Sequence, residues 1–154
     1  MPVLDIKTLK AELRTGDSVL GLDLGSKTIG LAISDPMLIV ASPLETIRRS
    51  KFTKDLIRLK AIMTDRNVGA LVLGLPISMD GTEGPRCQST RQFAVNVLAD
   101  TEIPIAFWDE RLSTSAVQRL LIGEADMTRK RRAEVVDKMA AAYILQGALD
   151  MIGR

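Results

Sequence analysis

One stretch constrains this chain more than any other: Gly21-Leu22-Asp23-Leu24-Gly25-Ser26-Lys27-Thr28-Ile29-Gly30-Leu31-Ala32-Ile33-Ser34-Asp35. Apolar residues alternate at period two on both sides of a short break at Gly25-Ser26-Lys27, which is the pattern of two strands joined by a tight turn. Gly25 is expected to supply a positive φ there. Leu20, Leu22 and Leu24 share one face with Ile29, Leu31 and Ile33, while Gly21, Asp23, Gly30, Ala32 and Ser34 share the other. That second face is nearly bare except for a carboxylate. A carboxylate in an apolar strand costs free energy unless it is paired, hydrogen-bonded or bound to a cation, so Asp23 requires a partner.

Composition narrows the chemistry. The chain of 154 residues contains no histidine, which removes Ser-His and Cys-His nucleophile pairs and imidazole zinc sites. What remains is chemistry by carboxylates, amines or a carboxylate-held metal. Its length and 46% hydrophobic content suit one domain, taken as residues 18–154 behind an N-terminal extension of residues 1–17. Leu4, Ile6, Leu9 and Leu13 in that extension suggest a short helix or tether. No run is long and apolar enough to span a bilayer, and the lone Cys87 cannot form an internal disulfide, so a cytoplasmic protein is expected. The formal charge of +2 does not announce nucleic-acid binding, though a small average can hide a local patch.

Beyond the hairpin, Met37 to Arg48 reads as a third strand, bent near Pro43 and at a sheet edge. Phe52, Leu56, Leu59, Ile62 and Met63 recur at helical spacing, and Ala70 to Leu75 is a continuous apolar run typical of a strand covered on both faces. Pro85 is placed to start a helix carrying Cys87, Phe93, Ala94 and Val97 on one side. Pro104 to Trp108 reads as a further strand that delivers Asp109-Glu110-Arg111 to its carboxyl end. Ser113 is expected to cap a helix with Ala116, Val117, Leu120 and Leu121 on its apolar side. The last helix has the cleanest stripe, from Val136 through Met139, Ala140, Tyr143, Ile144, Gly147 and Ala148 to Met151, with Asp137 at its border. Docked on the bare face of the hairpin, it would bring Asp137 beside Asp23.

Three acids thus stand at comparable points: Asp23, Glu110 and Asp137. Carboxyl ends of strands are where open α/β sheets bind ligands. Carboxylates that converge there repel one another unless a hard divalent cation such as magnesium sits between them. Two such ions support phosphodiester cleavage without histidine. Plainer roles exist for each acid: Asp109 or Glu110 pairing with Arg111, and Asp137 pairing with Lys138 or capping its helix. The run Arg129-Lys130-Arg131-Arg132 at a helix start opposes the helix dipole and so invites an external phosphate, with Arg86 and Arg91 as possible extensions of that patch.

The motifs Gly21 to Gly30, Leu73-Gly74-Leu75-Pro76 with Met79-Asp80-Gly81-Thr82-Glu83, Asp109-Glu110-Arg111-Leu112-Ser113-Thr114 and Asp137-Lys138-Met139-Ala140-Ala141 closely resemble the YqgF family, also called RuvX, in the ribonuclease H-like superfamily. The resemblance runs from about Leu20 to Asp150 in the family's order. It implies an α/β fold with a central mixed five-stranded sheet, its first three strands antiparallel, and helices on both faces. It also implies a metal-dependent nuclease that acts in maturing the 5′ end of pre-16S rRNA or, alternatively, in resolving Holliday junctions. By this likeness Asp23, Glu110 and Asp137 are the catalytic acids and the ligands of Mg2+ or Mn2+, with Asp109 a neighbour able to take the place of Glu110. By the same likeness Arg111, Lys130 and Arg131 are substrate contacts, and Lys27 and Arg86 are expected to join them as nucleic-acid-binding residues. The next acid on the last helix, Asp150, lies too far along it to join the three.

Two further classes fit parts of the pattern. Asp-Leu-Gly-Ser-Lys-Thr also resembles the first phosphate loop of actin-like ATPases, but such proteins duplicate this fold and the chain is too short for two copies. A non-catalytic RNA-binding module is the other. The partner expected under the leading reading is pre-rRNA or branched DNA, without a membrane, bound by a monomer or weak homodimer.

Overall fold

The computed structural model describes residues 3–112 and 129–153, with only the backbone described for 129–135. The helix expected after Ser113 therefore lies outside the described residues. Six strands form one sheet in the order β1-β6-β5-β2-β3-β4: β1 (Val3–Leu4), β2 (Ser18–Leu24), β3 (Thr28–Ser34), β4 (Ala41–Arg48), β5 (Val68–Leu75) and β6 (Ile105–Asp109). Helices α1 (Ile6–Leu9), α2 (Phe52–Asp65), α3 (Pro85–Asp100) and α4 (Arg129–Ile152) accompany it. The sheet is mixed. Strands β2, β3 and β4 pair antiparallel, whereas β5 runs parallel to β2, β6 to β5 and β1 to β6.

The sixth strand is the difference from the five expected. Val3 and Leu4 pair in parallel with Ile105 and Ala106, so the N-terminal extension adds an edge strand before its short helix. That helix begins at Asp5, whose side chain accepts from the Lys7 N–H, and it buries Ile6 and Leu9. Two residues of strand leave too little periodicity for the sequence to reveal them.

Two other expectations are corrected. The third strand begins at Ala41, not Met37, because the Asp35 carboxylate accepts from the N–H groups of Met37, Ile39 and Val40 and folds them into a loop, with Leu38 at φ 61°. Gly25 does not adopt a positive φ; the β2–β3 turn is a three-residue loop closed by a 2.8 Å hydrogen bond from Gly25 N–H to the Thr28 carbonyl.

Each face of the sheet has its own core. Leu20, Leu22, Leu24, Ile29 and Leu31 pack with Leu71, Leu73 and Ile105 against Leu56, Leu59 and Ile62 of α2 and Phe93, Ala94 and Val97 of α3. On the opposite face Val19, Ala32, Val72, Ala106 and Trp108 meet Ala141, Ile144, Leu145, Ala148 and Leu149 of α4. The bare face of the hairpin is therefore bare because α4 lies on it. A Cβ at Gly21 would come within 2.8 Å of Leu145 Cβ, so a side chain there would hold the helix off the sheet. Among the described residues no helix is long and apolar enough to cross a membrane.

Candidate active site

Register places the first acid. Asp23 is the penultimate residue of β2 and stands directly across from Gly30 on β3. Gly30 lacks a side chain because the backbone of α4 occupies its space: a Cβ there would fall well inside van der Waals contact with the Asp137 carbonyl, and 3.0 Å from Lys138 N. The close approach carries Asp137 to the carboxyl end of β2. Thr28, two residues before Gly30 on the same strand, donates its hydroxyl to Asp137 Oδ2 at 2.5 Å. Residues 109 positions apart in the chain are thereby joined by a side-chain hydrogen bond.

The third acid arrives from the other side. Leu22 pairs with Leu73 on β5, and Gly74 pairs with Trp108 on β6, so the ends of β2, β5 and β6 lie side by side. Beyond Asp109 the chain turns into a short 3-10 segment, Glu110–Leu112. The Glu110 side chain leans over Gly74, where a Cβ would meet its Cγ and Cδ at 3.0 Å. Asp109 faces elsewhere. Its carboxylate is gripped by Arg111 through Nε at 2.9 Å and Nη2 at 2.6 Å, and by the Arg111 N–H at 3.0 Å. This fork holds the Asp109 carboxyl below its usual range, with the Arg111 hydrogen bond as the main cause.

The electrostatics of the other pair run the opposite way. Burial, then the neighbouring Asp137 charge, pushes Asp23 up to about 6, against a weaker opposing pull from Arg86. Burial, then the Asp23 charge, pushes Glu110 up to about 7. Each shift reflects negative charge gathered where water is scarce. Among the described residues no group of three acidic, Cys or His side chains closes to metal-ligand spacing. The donor set is nonetheless all carboxylate oxygen, the kind hard divalent cations take, and carries an excess of negative charge that such a cation would neutralise. By the chemistry of its donors, though not by their present spacing, the set suits a hard divalent cation.

A cleft of about 690 Å³ adjoins the acids at Asp137, between the β2–β3 turn and the first turns of α3, and is lined by residues 24–28, Arg49, Pro85, Arg86, Ser89, Thr90 and Asp137. Of the expected nucleic-acid contacts, Lys27 and Arg86 line this cleft; Arg86 donates to the Leu24 carbonyl at 3.3 Å. Arg111 is not among the residues lining this cleft and spends its guanidinium on Asp109. Arg91, considered an extension of the basic patch, instead closes a bidentate pair with Glu83 at 2.7 and 2.8 Å. The side chains of Lys130 and Arg131 lie outside the described ones. Two residues at the site escaped the sequence reading: Thr28, which binds Asp137, and Arg49, which donates to the Gly25 carbonyl at 2.7 Å. Thr28 lies within the Gly21–Gly30 motif, where a hydroxyl beside an acid-bearing strand is the one signal that could have found it. Arg49 follows β4, whose pairing with β3 shifts register between Leu31 and Ala32, so its place beside the turn was hidden.

Comparison with known proteins then decides the family. Residues 17–151 match the family model described as RuvX: Holliday junction resolvase. The chain belongs to the RuvX family. Its relatives include a protein of Rhodospirillum rubrum, 59% identical over 154 residues that cover 100% of this chain and 96% of that one, named "Putative pre-16S rRNA nuclease". A protein of Paramagnetospirillum magneticum with the same name is 63% identical over 150 residues, covering 97% of this chain and 96% of that one. Among solved structures, RuvC of T. thermophilus in complex with a Holliday junction substrate matches with TM-score 0.55 at 14% identity, covering 88% of this chain and 94% of that one. The Fowlpox virus resolvase in complex with Holliday junction DNA matches with TM-score 0.54 at 12% identity, covering 89% and 99%. These likenesses give the RuvX-family chain the ribonuclease H-like resolvase fold.

Proposed function

We propose that this RuvX-family chain is a magnesium-dependent endonuclease that processes the 5′ end of pre-16S rRNA in the cytoplasm. The observation that carries the reading is the pair of half-buried carboxylates at the carboxyl end of the sheet, Asp23 and Glu110, both raised first by burial and then by a neighbouring acid, Asp137 for Asp23 and Asp23 for Glu110. Asp23, Glu110 and Asp137 would hold one or two Mg2+ or Mn2+ ions. When bound, such ions lower the pKa of a coordinated water and neutralise charge on the departing oxygen. The protein's part is to aim the carboxylates and temper their charge: Thr28 fixes Asp137 through its hydroxyl, and Arg86 offsets part of the negative charge at Asp23 and Glu110. Arg111 holds the Asp109 carboxylate, leaving Glu110, in the 3-10 segment just after β6, as the acid that would serve the site. Lys27 and Arg86 line the approach and would meet the phosphate backbone.

The choice of RNA as substrate follows the names of the close relatives. Resolution of Holliday junctions is the second reading, favoured by the family's description and requiring two symmetric active sites in a dimer. The test incubates purified protein with a 5′-extended pre-16S fragment and, separately, with a four-way DNA junction, each with Mg2+ or with chelator. Magnesium-dependent cleavage of the RNA alone is expected, and Asp23→Asn is expected to abolish it without loss of folding. Cleavage of the junction alone would transfer the function to DNA, and cleavage in chelator would remove the metal.

A further inference from the structure

Among the described residues, several arginines are held in contrasting ways. Arg58, Arg91 and Arg111 each close a bidentate pair with a carboxylate, Glu45, Glu83 and Asp109 respectively. Arg49 and Arg86, among the described residues, have no carboxylate within ion-pair distance, and both line the cleft beside Asp137. They are held instead by backbone. Arg49 donates from Nη1 to the Gly25 carbonyl at 2.7 Å, and its own N–H donates to the Lys27 carbonyl at 2.8 Å. Its guanidinium also rests 6.0 Å from the centroid of the Phe93 ring. Backbone and side chain together thus pin Arg49 to the turn that follows Asp23, with no ion pair to a described carboxylate and four guanidinium N–H groups beyond the one used on Gly25. Lys27 and the exposed Ser89 complete a polar wall facing the same space.

We propose that this cleft is a backbone subsite, in which Arg49 grips a phosphate of the substrate strand next to the scissile one. An unpaired guanidinium immobilised by carbonyls loses little entropy on binding and presents a planar fork matched to two phosphate oxygens. Its setting one turn from Asp23 registers the strand, so that the neighbouring phosphodiester falls over the acids. The subsite rests on the nuclease reading for what happens to the bound strand, but not for the binding itself.

Binding is therefore measured in chelator, where nothing is cut, using the 5′-extended pre-16S fragment titrated at several salt concentrations. Arg49→Gln is expected to weaken affinity about tenfold at moderate salt and to flatten the slope of log K against log salt by about 0.7, the share of one phosphate contact on a single strand. Arg49→Lys is expected to restore the slope. Arg58→Gln, on a paired arginine away from the cleft, should bind like the parent. Should Arg49→Gln fail to fold, Ser89→Glu puts a negative charge into the cleft at an exposed site and is expected to weaken binding at least tenfold with the melting temperature unchanged. An unchanged salt slope in a folded Arg49→Gln protein, or parent-like binding by Ser89→Glu, would overturn the subsite and leave Arg49 as a clip on the turn. Arg49-dependent binding without cleavage on adding Mg2+ would instead keep the subsite and defeat the nuclease.

Discussion

Replacing Gly30 by alanine tests how the acids are brought together. Gly30 is the residue across from Asp23, and the space its Cβ would need is filled by the carbonyl of Asp137, with Lys138 N at 3.0 Å. These are backbone atoms of a 24-residue helix and cannot rotate away. To restore ordinary contact α4 must lift from the sheet by about 1 Å, the size of displacement that costs a catalytic site on the order of 100-fold in rate. Overpacking of this kind destabilises by about 1 to 3 kcal/mol, and for a domain of this size each kcal/mol lowers Tm by roughly 2 to 4 °C. Gly69→Ala is the matching control, since the atoms nearest the added methyl belong to the Asp17 side chain, at the end of β5 away from the acids. Thermal melts and Mg2+-dependent cleavage rates are compared for both variants at a temperature where both are folded. Gly30→Ala should lose about two orders of magnitude in rate, while Gly69→Ala loses stability alone. A Gly30→Ala enzyme of parental activity would refute the claim that helix approach sets the position of Asp137.

The remaining predictions follow from the charges. Because Asp23 is raised from 3.8 to about 6 and Glu110 from 4.5 to about 7, the metal-free folded protein holds protons that the unfolded chain has released, and stability is lost as pH climbs through this window. Each group costs about 2 to 3 kcal/mol by pH 8, so Asp23→Asn should raise the metal-free Tm at pH 8 and change it little near pH 4; a lower Tm at pH 8 would contradict the shift. Thr28→Val should raise the Mg2+ concentration needed for half-maximal cleavage and lower the rate about tenfold, and Thr28→Ser should recover both; parental metal dependence in Thr28→Val would show that the 2.5 Å hydrogen bond is incidental. Glu110→Gln should abolish cleavage, whereas Asp109→Asn should keep most of it and cost roughly 1 kcal/mol in denaturant melts by loosening its fork with Arg111; the reverse order of damage would place Asp109 at the site.

How far the sequence reaches is visible in these same residues. Alternation around Gly21-Leu22-Asp23 was enough to place the hairpin and to show that one face awaited a small-residue contact, because strand periodicity and the lack of bulk are local properties. The stripe of α4 matched that face, so the meeting of Asp23 and Asp137 was legible before any coordinates. The choice between Asp109 and Glu110 was not, since it depends on a 3-10 turn after β6 and on Arg111 folding back over two residues. Nor was Arg49, whose position follows from a register shift in an edge strand and not from its neighbours in sequence. Residues 37–40 read as strand because they are apolar; what bends them into a loop is a single carboxylate, Asp35, accepting three backbone N–H groups.

The measurement closest to the centre of this account is anomalous diffraction from crystals grown or soaked with Mn2+, collected for the parent and for Asp23→Asn. One or two manganese peaks are predicted within coordination distance of Asp23, Glu110 and Asp137 in the parent, and none there in the variant. Manganese bound elsewhere, or the three carboxylates staying apart in saturating metal, would contradict it.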